Sequence, residues 1–285
     1  MIIESKSRRR FARYQWKARG WFGSLLLATL AFAFLVPILW MVTTSFQAGE
    51  KMYEMSTAWI PATWHFENYS NALSRSPFAQ YFLNSGIVAI AVMVSNVVFC
   101  TLAGYGLSKF RFPGDRYVLL AILATLMLPL EVTLVPTFLV IHQFGWLNTY
   151  QGLAGPFLVE AFGVFLMRQS MISIPADYIE AARIDGAGEL RILLQIIVPQ
   201  CLPALAVLAV FSFRDNWDQF LWPLTVISKD EYRTFPLGLV RFAEDYGSPP
   251  TEQLAIAVLA TIPTVLLFMI LQRAVNRGFG LSGLK

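Results

Sequence analysis

Six apolar stretches divide the chain: Trp21–Thr44, Phe82–Leu107, Tyr117–Ile141, Gly152–Met167, Pro203–Ile227 and Leu254–Leu271. Each comes near the roughly 20 apolar residues that an α-helix needs to cross a bilayer. Apolar residues run on continuously in them instead of alternating with polar ones, which predicts spanning helices rather than the strands of a barrel. The fourth stretch is short and carries Glu160, and the fifth carries Arg214, Asp215 and Asp218. The pattern predicts an all-α integral membrane protein with six transmembrane helices. Residues 1–20 form a basic tail and 21–285 the membrane domain, in which 168–200 is a polar loop.

Composition agrees. Apolar residues make up 56% of the chain and charged residues 14%, against about 25% charged in a typical soluble domain. Outside the six stretches, sixteen Lys and Arg fall in the N-terminal tail, 108–116, 168–200 and the C-terminal tail, and five fall in the alternate connections. The positive-inside rule then places both termini and the 168–200 loop in the cytoplasm. The net charge of +4 follows from this bias without nucleic-acid binding, and the N-terminal basic cluster suits anionic lipid head groups. The first stretch continues well beyond the about 7–15 residues of a signal-peptide core, so it reads as an uncleaved first span. Cys100 and Cys201 read as small buried hydrophobes.

The loop carries the most unusual pattern, "DYIEAARIDGAGELRILLQIIVPQ" from Asp177 to Gln200. Asp177 and Glu180 have the spacing of a capping box. Gly186 and Gly188 interrupt the helix that follows, since each glycine costs about 1 kcal/mol relative to alanine. A second helix restarts near Glu189 and runs through Leu193–Ile197, and Pro199 and Pro203 bracket the start of the fifth span. The product is helix, glycine bend, helix, with small residues on one face ringed by charge. Physics alone leaves two readings: a solvated connector held by its own cap, or a knob that docks in a groove of a cytoplasmic partner.

Polar groups at membrane depth face a cavity or a partner. Counting about 1.5 Å of rise per residue, Asn84, Glu131, Glu160, Asn216, Trp217 and Asp218 spread from mid-depth outward, as a water-filled pathway open to the outside requires. Acids and amides hydrogen-bond a polar solute, and an indole stacks on an apolar face of one. Alternatives stand beside this reading: Arg214 pairs with Asp218 across one helical turn, Glu131 caps a helix end beside Pro129, and Glu160 bonds to another subunit. In the outer segment Gln47–Tyr81, Trp59 and Trp64 suit the membrane interface, with a docking surface for another protein as the alternative, and His65 reads as a lone exposed histidine and is assigned no metal. No Gly-x-x-x-x-Gly-Lys-Ser/Thr loop occurs, so ATP hydrolysis by that route is excluded. No metal-ligand cluster or nucleophile–base pair is visible, so neither an enzyme nor a resident cofactor is expected.

The stretch "EAARIDGAGELRILLQIIVP" resembles the cytoplasmic-loop motif of ABC importer permeases, with Glu180, Ala181, Ala182, Gly186, Ile196 and Pro199 in place and Val198 where leucine is usual. "YFLNSGIVAI", "LSKFRFPG", "LMLPLEVTLVP", "AFGVFLMRQS" and "NWDQFLWPL" resemble the carbohydrate-uptake branch, although an Asn followed by an acid is commoner there where this chain has Asp218 and Gln219. The resemblance implies the type I importer fold in the bacterial cytoplasmic membrane. It also implies a second, homologous permease subunit, an ATPase dimer that binds the ATP, and an extracytoplasmic solute-binding protein. Glu180, Ala181, Ala182, Asp185 and Gly186 would form a coupling helix in a cleft of the ATPase, with Glu180 paired to a basic group. The tail "RGFGLSGLK" resembles the family's segment that approaches the ATPase pair; a frayed end is the alternative. The implied substrate is a di- or oligosaccharide, with glycerol-3-phosphate second. A different class, an ion-coupled carrier working through Glu131 and Glu160, lacks visible inverted halves and has no use for the loop.

Overall fold

Continuous apolar sequence satisfies its backbone only as helix inside lipid, and the computed structural model, described over residues 4–49, 59–245 and 249–282, is helical with no strand among those residues. The chain divides into two compact units, Met1–Ala72 with Ser248–Val258, and Leu73–Gly247 with Leu259–Lys285.

In the first unit, α1 (Glu4–Thr44) contains the apolar span Trp21–Thr44. No residue in its most apolar window is buried among the described residues, so its leucines and phenylalanines lie on the outside of this chain. After the helix, the buried Asn68 of α2 (Glu67–Arg75) donates to the carbonyls of Ser45 at 2.8 Å and Gln47 at 2.9 Å. Phe46 packs among Trp64, Phe66 and Tyr69. His65 is not isolated: its ring lies 2.6 Å from Glu67 and 3.0 Å from Thr63. Trp59 and Trp64 remain half-exposed.

The second unit is organised on α3 (Phe78–Lys109), whose buried positions recur every three to four residues. Against it pack α7 (Ala161–Ile172) and α11 (Leu202–Trp217). The approach is close because small residues meet there. A Cβ on Gly104 would lie 2.9 Å from the backbone nitrogen of Arg168, and one on Gly163 2.7 Å from the Cys100 sulfur. Both cysteines are fully buried and unbridged. One apolar core surrounds Cys100, Met167, Met171, Ile197 and Leu208. A second surrounds Val92, Leu153 and Trp222, on the part of α3 nearer its start.

Three of the expected single spans are broken. The third stretch divides into α4 (Asp115–Thr125) and α5 (Leu130–Gln143), bent by 103°. Pro129 between them is extended, at ψ 149°, and the residue before a proline is pushed out of helix. The fourth divides into α6 (Tyr150–Ala154), continued by a 3-10 turn over Gly155–Phe157, and α7, with a 43° bend. In the fifth, α11 stops at Trp217, and the short α12 (Leu221–Val226) follows the polar Asp218-Gln219 pair. Counting each bent pair once, the described residues hold up to six segments able to cross a membrane. The 3-10 turn Asp230–Tyr232 and α13 (Phe235–Asp245) lead to α14 (Pro250–Ser282), which carries the last span and part of the C-terminal tail; residues 283–285 of that tail lie outside the described residues.

Candidate functional site

The loop folds as the sequence pattern requires in outline, but its cap differs. In α8 (Asp177–Ile184), Ala176 holds the capping position without a side-chain bond, and Asp177 is already the first helical residue. The expected capping box is therefore not formed. Pro175-Ala176 leads the chain into the helix directly: Ala176 is itself helical, and its carbonyl accepts from the Ile179 and Glu180 amides at 2.9 and 3.0 Å. Asp177 and Glu180 still lie in the first turn, where the helix dipole favours negative charge.

The other end is a Schellman closure. Gly186 takes φ +77° and donates to the Arg183 carbonyl, while Ala187 donates to the Ala182 carbonyl at 2.9 Å. Gly188 is extended and starts α9 (Glu189–Ile192). A π-helical turn, Leu193–Ile197, and α10 (Val198–Gln200) continue the arm. The wide turn, closed by Val198 donating to Leu193, leaves room for the Pro199 ring, which would collide with the carbonyl four residues back in a regular helix. The arm then meets α11 at 83°.

This hairpin has two faces. Ile179 and Ala182 are buried in the core with Ile192, Leu193 and Ile197. Tyr178, Glu180, Ala181, Arg183 and Asp185 are exposed, and Ile184 is 87% exposed. A polar cavity of about 390 Å³ opens beside it, lined by Ser108, Lys109, Ser173, Glu180 and Arg183.

The pathway candidates fall into three settings. Asn84 is fully buried and its amide is saturated: it donates to the carbonyls of Glu231 and Arg233 and accepts from Tyr150 and Gln80. Trp217, 1% exposed, donates to the Ala260 carbonyl and lies among Phe213, Phe235 and Phe82. Its ring faces are covered.

Glu160, Asn216, Asp215 and Asp218 gather on another side. Glu160 sits at the break before α7, in the neighbourhood of Asn216 and Asp215. Asn216 also donates to the Ser212 carbonyl. Arg214 lies 3.4 Å from Asp215 and 3.6 Å from Asp218, and all three side chains are half-exposed. Glu131 stands apart in the exposed first turn of α5.

Sequence reasoning missed Asn96. Fully buried on α3, it accepts from the Glu160 amide at 2.8 Å and donates to the Phe157 carbonyl at 2.8 Å, so it braces the break that presents Glu160. An amide inside an apolar run was the available signal, the same one that drew attention to Asn84. Also missed were the bonds that join the end of α3 to α7 and the hairpin: Arg168 to the Leu107 carbonyl, Lys109 to the Ile174 carbonyl, and Tyr105 to Glu189.

Residues 97–280 match the family described as binding-protein-dependent transport system inner membrane component. The chain belongs to that family. This inner membrane component is 30% identical over 268 residues to the arabinooligosaccharides transport system permease protein AraQ of Halalkalibacterium halodurans, covering 93% of this chain and 96% of that one. It is 33% identical over 265 residues to the sn-glycerol-3-phosphate transport system permease protein UgpE of Rhizobium meliloti, covering 90% and 94%. Among solved structures, it is similar to a chain in the crystal structure of a bacterial ABC transporter involved in the import of the acidic polysaccharide alginate, with TM-score 0.78 at 26% identity over 90% of this chain and 96% of that chain. The glycine-bent hairpin, Glu160 and Asn216 all lie inside the residues that define this inner membrane component.

Proposed function

We propose that this chain is one half of the membrane pathway of an ATP-driven, binding-protein-dependent importer of a di- or oligosaccharide. The observation that carries this reading is the hairpin. A short helix has one face seated in the protein core and the other bare, and a left-handed Gly186 turns the chain back beneath it. That is the shape of an element that receives force from a partner, and it lies in a chain of a binding-protein-dependent transport family. On the charge bias, the hairpin and both termini face the cytoplasm. An ATPase dimer binds Glu180, Ala181, Ala182, Asp185 and Gly186 and holds the ATP. A second, homologous permease completes the pathway, and a solute-binding protein delivers sugar from outside.

The pathway wall is assigned to Glu160, Asn216 and Asp218, with Asp215 added. Asn84 and Trp217 hold that wall in shape, and Glu131 faces the second permease or lipid. Arg214 favours a neutral sugar over a phosphate ester. It is the one basic residue within the six apolar stretches, and two carboxylates already oppose its charge.

Affinity purification of the tagged chain from its native membrane is expected to bring down an ATPase and a second permease in stable stoichiometry. In that purified complex, Glu160→Gln is expected to raise the half-saturating sugar concentration by about tenfold, the effect of losing one charge-assisted hydrogen bond at a partly buried position. Purification of the chain alone, together with saturable uptake by the chain alone, would overturn the proposal.

A further inference from the structure

The sugar pathway and the exposed face of α8 do not explain the bonds that tie the hairpin to α3. Glu189 is the first residue after the glycine bend. One of its oxygens accepts from the Tyr105 hydroxyl at 2.6 Å. The other accepts from the Nε of Arg183, in the last turn of α8, at 2.8 Å, and a second guanidinium nitrogen lies at the same distance. A single carboxylate therefore joins both limbs of the bend to the end of α3. Tyr105 is 6% exposed, and its hydroxyl reaches out of the core to the half-exposed Glu189 carboxylate.

The segment before α8 is held in the same way. Lys109, the last residue of α3, donates to the Ile174 carbonyl at 2.7 Å, three residues before the helix starts. Arg168 of α7 donates back to Leu107 of α3. The terminal turn of α3 thus grips the hairpin on both its sides. Between the grips the bend is held by its own backbone bonds, Gly186 to Arg183 and Ala187 to Ala182, with open space around Gly186 and Gly188: nothing lies within 4 Å of a Cβ placed on either.

We infer that Tyr105, Glu189 and Arg183 form a strut that makes α8 and α3 move as one body, and that Tyr105 and Glu189 are positioning residues setting how much transport each ATP yields. This inference rests on the function proposed above. Without the strut, α8 is left to the apolar packing of Ile179 and Ala182 and to the Lys109 bond before it, and part of a push on α8 is lost before it reaches α3, the helix on which α7 and α11 are packed.

The test uses the whole complex in sealed vesicles, measuring sugar uptake and ATP hydrolysis on the same preparation. Tyr105→Phe removes one oxygen and keeps the ring; Glu189→Gln keeps the shape and removes the charge. Each is expected to lower sugar moved per ATP by about fivefold or more while hydrolysis stays within about twofold of wild type. The double variant is expected to be no worse than Glu189→Gln, because both changes cut one link. An unchanged ratio in Tyr105→Phe overturns the inference. So does a parallel fall of uptake and hydrolysis with a lower melting temperature, which marks a merely structural bond. If uptake by the wild-type complex ignores nucleotide, the functional reading fails and this inference with it; nucleotide-driven uptake with an unchanged Tyr105→Phe ratio removes this inference alone.

Discussion

Gly186→Pro is expected to reduce nucleotide-driven uptake by well over about tenfold while the spans still insert. Proline fixes φ near −65°, whereas this position needs +77°. Proline also lacks the amide that donates to the Arg183 carbonyl at 3.0 Å, and it disfavours the helical conformation of the residue before it. Together these cost about 3 kcal/mol or more locally, enough to unravel the last turn of α8 without disturbing the cores on α3. Space is not the issue, since a side chain at this position meets nothing. Gly186→Asn, which tolerates the left-handed region, is therefore expected to keep most of the activity. Comparing the two variants by uptake into vesicles separates conformation from size: equal loss in both would show that the bend is not what matters.

The second large effect is expected at Asn96. Asn96→Leu fills similar volume but strips the partner from the Glu160 amide and from the Phe157 carbonyl. Each of these part-buried groups left unpaired costs up to about 1–3 kcal/mol where water does not replace the amide. The fourth span should lose its fixed break, and the purified protein should melt at a clearly lower temperature. Asn96→Asp keeps the acceptor and loses the donor, so it should fall between wild type and Asn96→Leu. A leucine variant that melts with the wild type would contradict the brace.

The six apolar crossings and the helix–glycine–helix loop were legible because both rest on local rules: run length for the first, glycine and proline chemistry for the second. The breaks were not legible. Pro129 stands between two helices at 103°, yet Pro136 sits inside α5, Pro37 inside α1 and Pro263 inside α14. Proline permits a bend, and the neighbours decide whether it is used; at the fourth span the deciding neighbour is Asn96, more than sixty residues away in sequence. The capping box failed for a smaller reason: the helix began one residue early, at Asp177 rather than after it. Among the pathway candidates, depth alone made Asn84, Trp217 and Glu160 look alike. Their partners separate them. Glu231, Arg233 and Tyr150 saturate Asn84, aromatic rings enclose Trp217, and Glu160 lies near another acid, Asp215. Those partners come from distant segments and could not be read from spacing.

On the proposed function, this chain moves sugar only with energy delivered from outside the membrane domain. That dependence is tested most plainly by uptake into vesicles that contain the purified chain and the second permease, first with the ATPase and ATP enclosed and then without the ATPase but under an imposed proton or sodium gradient. Uptake, stimulated by the solute-binding protein, is expected in the first case and none in the second. Uptake driven by the ion gradient with no ATPase present would contradict it.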